Sequence, residues 1–286
     1  MNTQFWVIQA FNGISYGALL FLVGSGLSLI FGVMRIVNLS HGAYFLWGGY
    51  IALSVIWATG SWALSLPLAA LAVAMIGLLM ERVFLRPLGF DPLRQVLLTV
   101  GFAFLFQQGA LDIWGGDNMD ISPAPIFNTS VVIGGIYFPL YRVFMIATAL
   151  GIGLVIWLVM EKTRMGAAVR ATVDDAQMAR GVGIDTNRVS MFIFALGAFL
   201  AALGGVIGGA FLGIYPGLDF EILPLAFAVV IIGGMGSLGG AAIGALAVGL
   251  ADNFGKALFP EVSYFTLYAP MVLILAIKPT GLFGRE

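Results

Sequence analysis

The chain has 286 residues, of which 60% are hydrophobic and 9% are charged, and its mean hydropathy is +1.03. These values place it among membrane proteins rather than soluble domains. Its 13 basic and 14 acidic residues nearly cancel, so no basic surface indicates nucleic acid as a partner. The sequence contains no cysteine, which excludes disulfides, thiol chemistry and cysteine metal sites.

Long uncharged apolar runs follow one another along the whole chain. They predict an all-α polytopic membrane protein, with about eight transmembrane helical elements in a single domain over residues 1–286. No stretch is long enough for a second, soluble domain. The runs cover residues 5–32, 42–58, 63–80, 95–111, 143–160, 189–215, 222–251 and 262–277.

The basic residues predict the orientation of these spans. Eleven of the 13 lie in gaps that alternate with the more acidic gaps, and only Arg142 and Lys256 fall on the other side. Because cytoplasmic loops carry the excess of Lys and Arg, the N-terminus is expected outside and the C-terminus in the cytoplasm.

The run 222–251 is interrupted by the glycine-rich stretch GGMGSLGG, residues 233–240. Two helices that meet there, as a re-entrant pair or as two short spans, preserve the alternation of sides. One interpretation is a broken helix that lines a transport route. The other is a plain loop or a close packing contact.

Small residues recur every fourth position in two runs. They are expected to mark helix faces that pack against other helices, because small side chains let backbones approach closely in lipid. The two stripes consist of Gly24, Ser28 and Gly32, and of Gly197, Ala201, Gly205, Gly209 and Gly213.

Sequence motifs for catalysis are missing. There is no P-loop, no HExxH and no GxSxG, and His41 is the only histidine, so neither an ATPase site nor a metal site is predicted. The middles of the apolar runs carry no Asp, Glu, Lys or Arg. Ion-driven carriers usually bury such a group, so the driving energy is expected to come from elsewhere.

Charge is concentrated in the segment 161–189, which holds nine of the 27 charged residues. Thr172 and Asp175 have the spacing of a capping box, and they predict a short helix over Val173–Arg180 that a proline at Ala176 would break. Gly181 and Gly183 would end this helix. It could lie on lipid headgroups or dock into a cytoplasmic partner.

Four stretches resemble the permeases of branched-chain amino acid type ABC importers, in the family's order. The resemblance implies a chain that binds no nucleotide or other cofactor and lies in the bacterial inner membrane. It also implies a second permease subunit or copy, two cytoplasmic ATPases that use ATP and Mg, and an external solute-binding protein. The stretches are GLSLIFGVMRIVNLSHGAYFLWGGYIA (26–52), TVGFAFLFQQGALDIWGGD (99–117), RATVDDAQMARGVGIDTNRV (170–189) and VVIIGGMGSLGGAAIGALAVGL (229–250).

The resemblance assigns the charged segment to coupling with the ATPases. Its coupling residues are Arg170, Asp174, Asp175, Ala179, Gly181, Gly183 and Arg188. Candidate residues of the translocation pathway come from the NxxHG turn, from polar positions within the spans and from the glycine stretch. They are Asn12, Asn38, His41, Gly42, Gln107, Gly233, Gly234, Gly236 and Ser237.

His41 is expected to hydrogen-bond backbone freed at its turn. Relatives of this type carry branched-chain amino acids, urea, short amides or aromatic acids, so the cargo stays open. The alternative function is a self-sufficient secondary transporter or channel for small solutes.

Overall fold

The computed structural model describes residues 3–89 and 91–284, which form a helical bundle with one β-hairpin. The prediction of an all-α polytopic membrane fold is confirmed. The hairpin strands are β1 (Ser130–Ile133) and β2 (Ile136–Pro139). The helices are α1 (Thr3–Met34), α2 (His41–Thr59), α3 (Trp62–Met80), α4 (Pro92–Trp114), α5 (Leu140–Lys162), α6 (Arg164–Asp174), α7 (Ala176–Gly181), α8 (Thr186–Leu212), α9 (Leu218–Gly233), α10 (Leu238–Leu258) and α11 (Ser263–Ile277).

Seven helices in the described part of the chain are long and apolar enough to cross a membrane: α1 to α5, α8 and α10. Helices α9 and α11 have 16 and 15 residues. At 1.5 Å per residue they are about 22–24 Å long, less than the roughly 30 Å of a bilayer core. Each predicted apolar run corresponds to helix, and the run 222–251 divides into α9 and α10.

Helix α1 lies at the centre of the bundle, where it packs against α8, α9 and α10. Its glycines make these contacts close. A Cβ added to Gly24 would lie 2.6 Å from Val229 of α9, and one added to Gly26 would lie 2.7 Å from the carbonyl of Gly197 in α8. Gly205 likewise packs on the backbone of Phe45 in α2. The two stripes of small residues are therefore confirmed as packing faces, except that Gly213 lies just after the last residue of α8.

The two ends of the bundle differ in charge. We call the end that carries α6 and α7 the basic end, and the end that carries β1 and β2 the hairpin end. Arg142 and Lys256 lie at the hairpin end; Arg285 lies outside the described residues. The ten other described basic residues lie at the basic end: Arg35, Arg82, Arg86, Arg94, Lys162, Arg164, Arg170, Arg180, Arg188 and Lys278.

Helix α3 does not stop at Met80 but continues at the basic end as a wider π-helical segment, Glu81–Leu85. The buried Glu81 carboxylate accepts a hydrogen bond of 3.1 Å from Arg86. The same guanidinium donates to the backbone carbonyl of Asn187 at the start of α8. Arg86 therefore connects α3 to the helix that follows the charged segment.

Candidate functional site

After α1 the chain turns back into the bundle, and the polar side chains of Asn38, Ser40 and His41 in this turn are fully buried. Asn38 Oδ1 accepts hydrogen bonds from the backbone amide of Ser40 (3.1 Å) and from its hydroxyl (2.7 Å). The Thr99 hydroxyl of α4 accepts from the amide of Leu39 at 3.2 Å. Side chains thus supply partners for backbone that belongs to no helix.

His41, the first residue of α2, lies deep inside the bundle. Its Nε2 is 2.9 Å from the carbonyl oxygen of Val23, which precedes the last residue of α1 by about three helical turns. The predicted partner, backbone freed at the turn, is thus wrong, because the ring reaches across to α1. Within the described residues, His41 Nδ1 and Asn38 Nδ2 are buried without a hydrogen-bond partner.

Gly42 brings the starts of α2 and α9 together. A Cβ at this position would lie against the backbone carbonyl of Asp219 and 3.1 Å from Cβ of Leu223. Only glycine permits this approach. The NxxHG turn is therefore in contact with the first turn of α9, a neighbour that the sequence did not predict.

The first turn of α9 buries an ionisable group that sequence reasoning placed in an external gap. Asp219 is 2% exposed, and its Oδ1 has no hydrogen-bond partner among the described residues. The fully buried hydroxyl of Tyr50 in α2 likewise has none there. The helix α9 begins four residues before the predicted apolar run at 222. Asp219 was therefore not predicted to lie inside a helix.

The glycine stretch separates α9 from α10, as predicted, and lies at the basic end. Gly234 and Gly236 adopt φ values of 98° and 81°, which side chains other than glycine rarely tolerate. Gly236 lies directly against Gly32 near the end of α1. Ser237 begins α10 as its N-cap and accepts a hydrogen bond of 3.0 Å from the amide of Gly240.

The segment after α11 closes over this hinge, by which we mean residues 233–237. The amide of Leu282 donates to the carbonyl of Ile232 (2.9 Å), and that of Phe283 donates to the carbonyl of Gly233 (3.0 Å). The C-terminal segment is therefore bonded to the last turn of α9, and motion of the hinge would displace it.

A cavity of about 650 Å³ lies between the hinge and α6. Its lining combines hinge residues with Arg35, which follows α1, and with charged residues of α5 and α6. Residues of the glycine stretch and of the charged segment therefore line the same cavity. Among the lining residues are Arg35, Glu161, Arg170, Asp174, Gly236 and Ser237.

The charged segment forms two helices, and the predicted single helix over Val173–Arg180 is wrong. Thr172 lies inside α6, where its hydroxyl donates to the carbonyl of Ala168. Asp175 leaves the helical conformation and caps α7 by accepting from the amides of Gln177 (2.8 Å) and Met178 (2.9 Å). The cap was misplaced because α6 already extends through Thr172.

This correction changes the effect expected of a proline at Ala176. Ala176 is the first residue of α7, and proline is well tolerated at the first helical position. Asp175 before it is extended, at φ −154° and ψ 102°, as a residue before proline prefers. The expectation that proline at Ala176 breaks the helix is therefore wrong.

The predicted coupling residues occupy distinct positions on this segment. Arg170 donates to the carbonyl of Met160 and lies 3.7 Å from the Glu161 carboxylate, which ties α6 to the end of α5. Ala179 is buried, whereas Asp174, Asp175, Gly181, Gly183 and Arg188 are exposed. Between them α7 and the following turn present two exposed apolar side chains, Met178 and Val182, at 69% and 77% exposure.

Two candidate pathway residues lie apart from both the buried turn and the hinge. Asn12 is near the hairpin end, where its side chain accepts a hydrogen bond from Arg142. Gln107 is half-buried on α4. The predicted pathway residues therefore occupy separate places along the bundle and do not form one cluster.

The fold and these sites define a multi-pass helical membrane permease. The family model of the branched-chain amino acid transport system permease component matches residues 9–275, and the chain belongs to this family. It is 29% identical to the high-affinity branched-chain amino acid permease protein LivH of Salmonella typhimurium, over 100% of this chain and 98% of that protein. It is 28% identical to BraD of Pseudomonas aeruginosa, over 97% and 95%. Similarity to LivM of Salmonella typhimurium is 28%, over 91% and 67%. No solved structure matches the chain.

Proposed function

We propose that the chain is the permease subunit of an ABC importer that moves branched-chain amino acids or related small polar metabolites across a bacterial inner membrane. Residues 1–286 act as one transmembrane domain, with the N-terminus outside and the C-terminus in the cytoplasm. The full-length similarity to LivH and BraD supports the cargo class. The concentration of basic residues at one end supports the orientation.

The partners follow from the same proposal. The chain binds no nucleotide, and two cytoplasmic subunits hydrolyse ATP with Mg. A second permease subunit completes the core; similarity to both LivH and LivM supports a pair of related chains. An external solute-binding protein delivers cargo at the hairpin end.

The observation that carries the proposal is the surface of α6 and α7. This segment is rich in charge, yet it exposes Met178 and Val182 at the basic end. Apolar side chains on a polar rim are typical of a protein docking site. A two-turn helix is too short to be stable alone and is stabilised by a partner surface.

The contacts of this segment supply a route for motion. Arg170 ties α6 to α5, and Arg86 ties α3 to the start of α8. The 650 Å³ cavity gives α6 room to move relative to the hinge at Gly236. ATP-driven movement of α6 and α7 then shifts the populations of inward-open and outward-open states.

Purification tests the proposal. We would express the chain with its neighbouring genes, purify it by a tag on this chain and identify the proteins that accompany it. We expect two ATP-binding subunits and a second permease chain, and ATP-dependent solute uptake after reconstitution into liposomes. Uptake by the chain alone, without ATP, would contradict the proposal.

One observation favours the alternative, a self-sufficient secondary carrier. Asp219 is an ionisable group buried inside the bundle, as in ion-driven carriers. Such a carrier predicts uptake that follows a proton or sodium gradient and ignores ATP. The same reconstitution therefore separates the two functions.

A further inference from the structure

Two polar atoms inside the bundle have no hydrogen-bond partner in the described part of the chain: Oδ1 of Asp219 and the hydroxyl of Tyr50. Both residues belong to helices that pack on each other, since Gly42, about two helical turns before Tyr50 in α2, lies against the backbone carbonyl of Asp219. A buried polar group without a partner destabilises a protein by about 1–3 kcal/mol, and a charged group by more. Ionisable groups inside membrane bundles generally mark functional sites.

The start of α9 favours a negative charge at Asp219. The carboxylate is in the first turn of the helix, where the helix dipole is positive. Within the described residues, 3–89 and 91–284, no ion pair includes Asp219. In this part of the chain, which the structure describes, the Asp219 carboxyl therefore lies at the positive end of a helix dipole and has no cation paired with it.

Aromatic rings surround the other member of the pair. The Tyr50 ring stacks on Trp114 of α4 with ring centroids 5.0 Å apart, and Trp114 meets Trp47 edge to face at 5.5 Å. The indole nitrogens of Trp47 and Trp114 donate to Phe106 and Ser54, so the rings are fixed in place. Fixed aromatic faces attract cations.

The site lies one residue behind the surface between α4 and α9. Phe220 directly follows Asp219, is 40% exposed, and has its ring centroid 5.6 Å from that of Phe104 on α4. Asp219 therefore lies directly behind two aromatic rings that meet between α4 and α9.

We propose that Asp219 and Tyr50 bind the primary ammonium group of the transported solute. An ammonium offers three donors, which satisfy Oδ1 of Asp219 and the oxygen of Tyr50 together, and its charge is attracted by the surrounding rings. Gly42 holds the first turn of α9 against α2 and so fixes the carboxylate relative to Tyr50.

This inference rests on the proposed transport function and narrows its cargo. Amino acids carry the required ammonium group. Urea, short amides and aromatic carboxylates do not, so they would leave the buried carboxylate unpaired and are rejected.

The test uses the complete importer in liposomes, with the binding protein and labelled L-leucine, L-phenylalanine, urea, acetamide and benzoate as probes. We expect the wild-type complex to take up at least one of the two amino acids and none of the other probes. Asp219→Asn should raise the half-saturating amino-acid concentration about tenfold or more, because a charged hydrogen bond is lost. Tyr50→Phe should raise it less.

Glu221→Gln is the matched control, since Glu221 is in the same helical turn but exposed. Its uptake and its basal ATP hydrolysis should remain near those of the wild type. Asp219→Glu retains the charge and should recover part of the uptake if Asp219→Asn assembles poorly.

Amino-acid uptake that is unchanged in Asp219→Asn overturns the site. So does a wild-type complex that takes up neither amino acid, even when its ATPases are bound and active, in which case the importer function still stands. A strict sodium requirement that Asp219→Asn abolishes would assign the carboxylate to a coupling ion and would likewise overturn the inference.

Discussion

The charged segment at the basic end and the buried turn at the start of α2 hold polar groups in opposite ways. In the charged segment, residues 161–189, the charged side chains are exposed, and some form ion pairs with close neighbours in sequence, as Arg188 does with Asp185 at 2.9 Å. In the turn, Asn38 and His41 are fully buried, and each keeps one atom without a partner in the described residues. The charged segment also exposes an apolar side chain, that of Met178 in α7.

We propose that this difference reflects two tasks of one membrane chain. A surface of paired charges with exposed apolar side chains suits a large, soluble partner. Buried polar atoms without fixed partners can form hydrogen bonds with a small solute. The hinge begins at the end of α9, the helix whose first turn contains Asp219, and it lines the cavity beside α6.

Rigidifying the hinge should break the connection between the two regions and have the largest effect. Gly236→Leu places a side chain at φ 81° and 3.0 Å from Gly32. We expect solute uptake to be nearly abolished while the protein remains in the membrane, because a side chain is strained at positive φ. Uptake by reconstituted complexes measures this.

Gly151→Leu is its control, since Gly151 is exposed on α5, a Cβ there meets nothing within 4 Å and its φ is not positive. It should transport normally. Equal activity of both variants would show that the hinge is an ordinary linker.

Removing a buried hydrogen-bonding group should cost stability in the turn. Asn38→Ala leaves the amide and hydroxyl of Ser40 without their acceptor. We expect a loss of about 1–3 kcal/mol in the free energy of unfolding. Thermal denaturation of the purified complex measures it; a melting temperature equal to the wild type would mean that water satisfies these groups.

Removing an exposed apolar group from α7 should act on assembly and leave folding unchanged. Met178→Ser should weaken binding of the ATPases about tenfold, as expected for a contact residue at the centre of an interface. Titration of purified ATPase onto the permease in detergent measures the affinity. Unchanged affinity would favour a helix that lies on lipid headgroups.

Orientation can be tested with little effect on activity, because the sequence has no cysteine. Single cysteines at Thr3 and Asp120 should react with a membrane-impermeant thiol reagent added outside intact cells. Cysteines at Arg86 and Asp175 should react only after lysis. Labelling of position 175 from outside would reverse the proposed orientation.

Sequence patterns predicted what depends on neighbours along the chain. Apolar runs indicated the spans because a bilayer requires about 20 apolar residues. The glycines at 233–240 indicated the break, and the packing stripes identified the right faces. Each of these follows from spacing within one segment.

Features that depend on contacts between distant segments escaped prediction. Asp219 is buried because Gly42, far away in sequence, admits the start of α9. The N-cap is Asp175, although a capping box that starts at Thr172 was predicted. Thr172 cannot be the cap because α6 extends through it. The cavity shared by the hinge and Arg170 joins residues on α1, α5, α6 and α10, which no local pattern relates.

The central claim is that α7 transmits ATPase motion, and solute-stimulated ATP hydrolysis of the complete importer tests it most directly. In α7 the amide of Ala179 donates to the carbonyl of Asp175 at 2.9 Å. Proline at this interior position removes the bond and destabilises the helix by about 3 kcal/mol or more. Ala176→Pro, at the first position of the same helix, is the matched control. The account predicts that Ala179→Pro loses stimulation by the solute-loaded binding protein and that Ala176→Pro retains it. Full stimulation in Ala179→Pro would contradict the account.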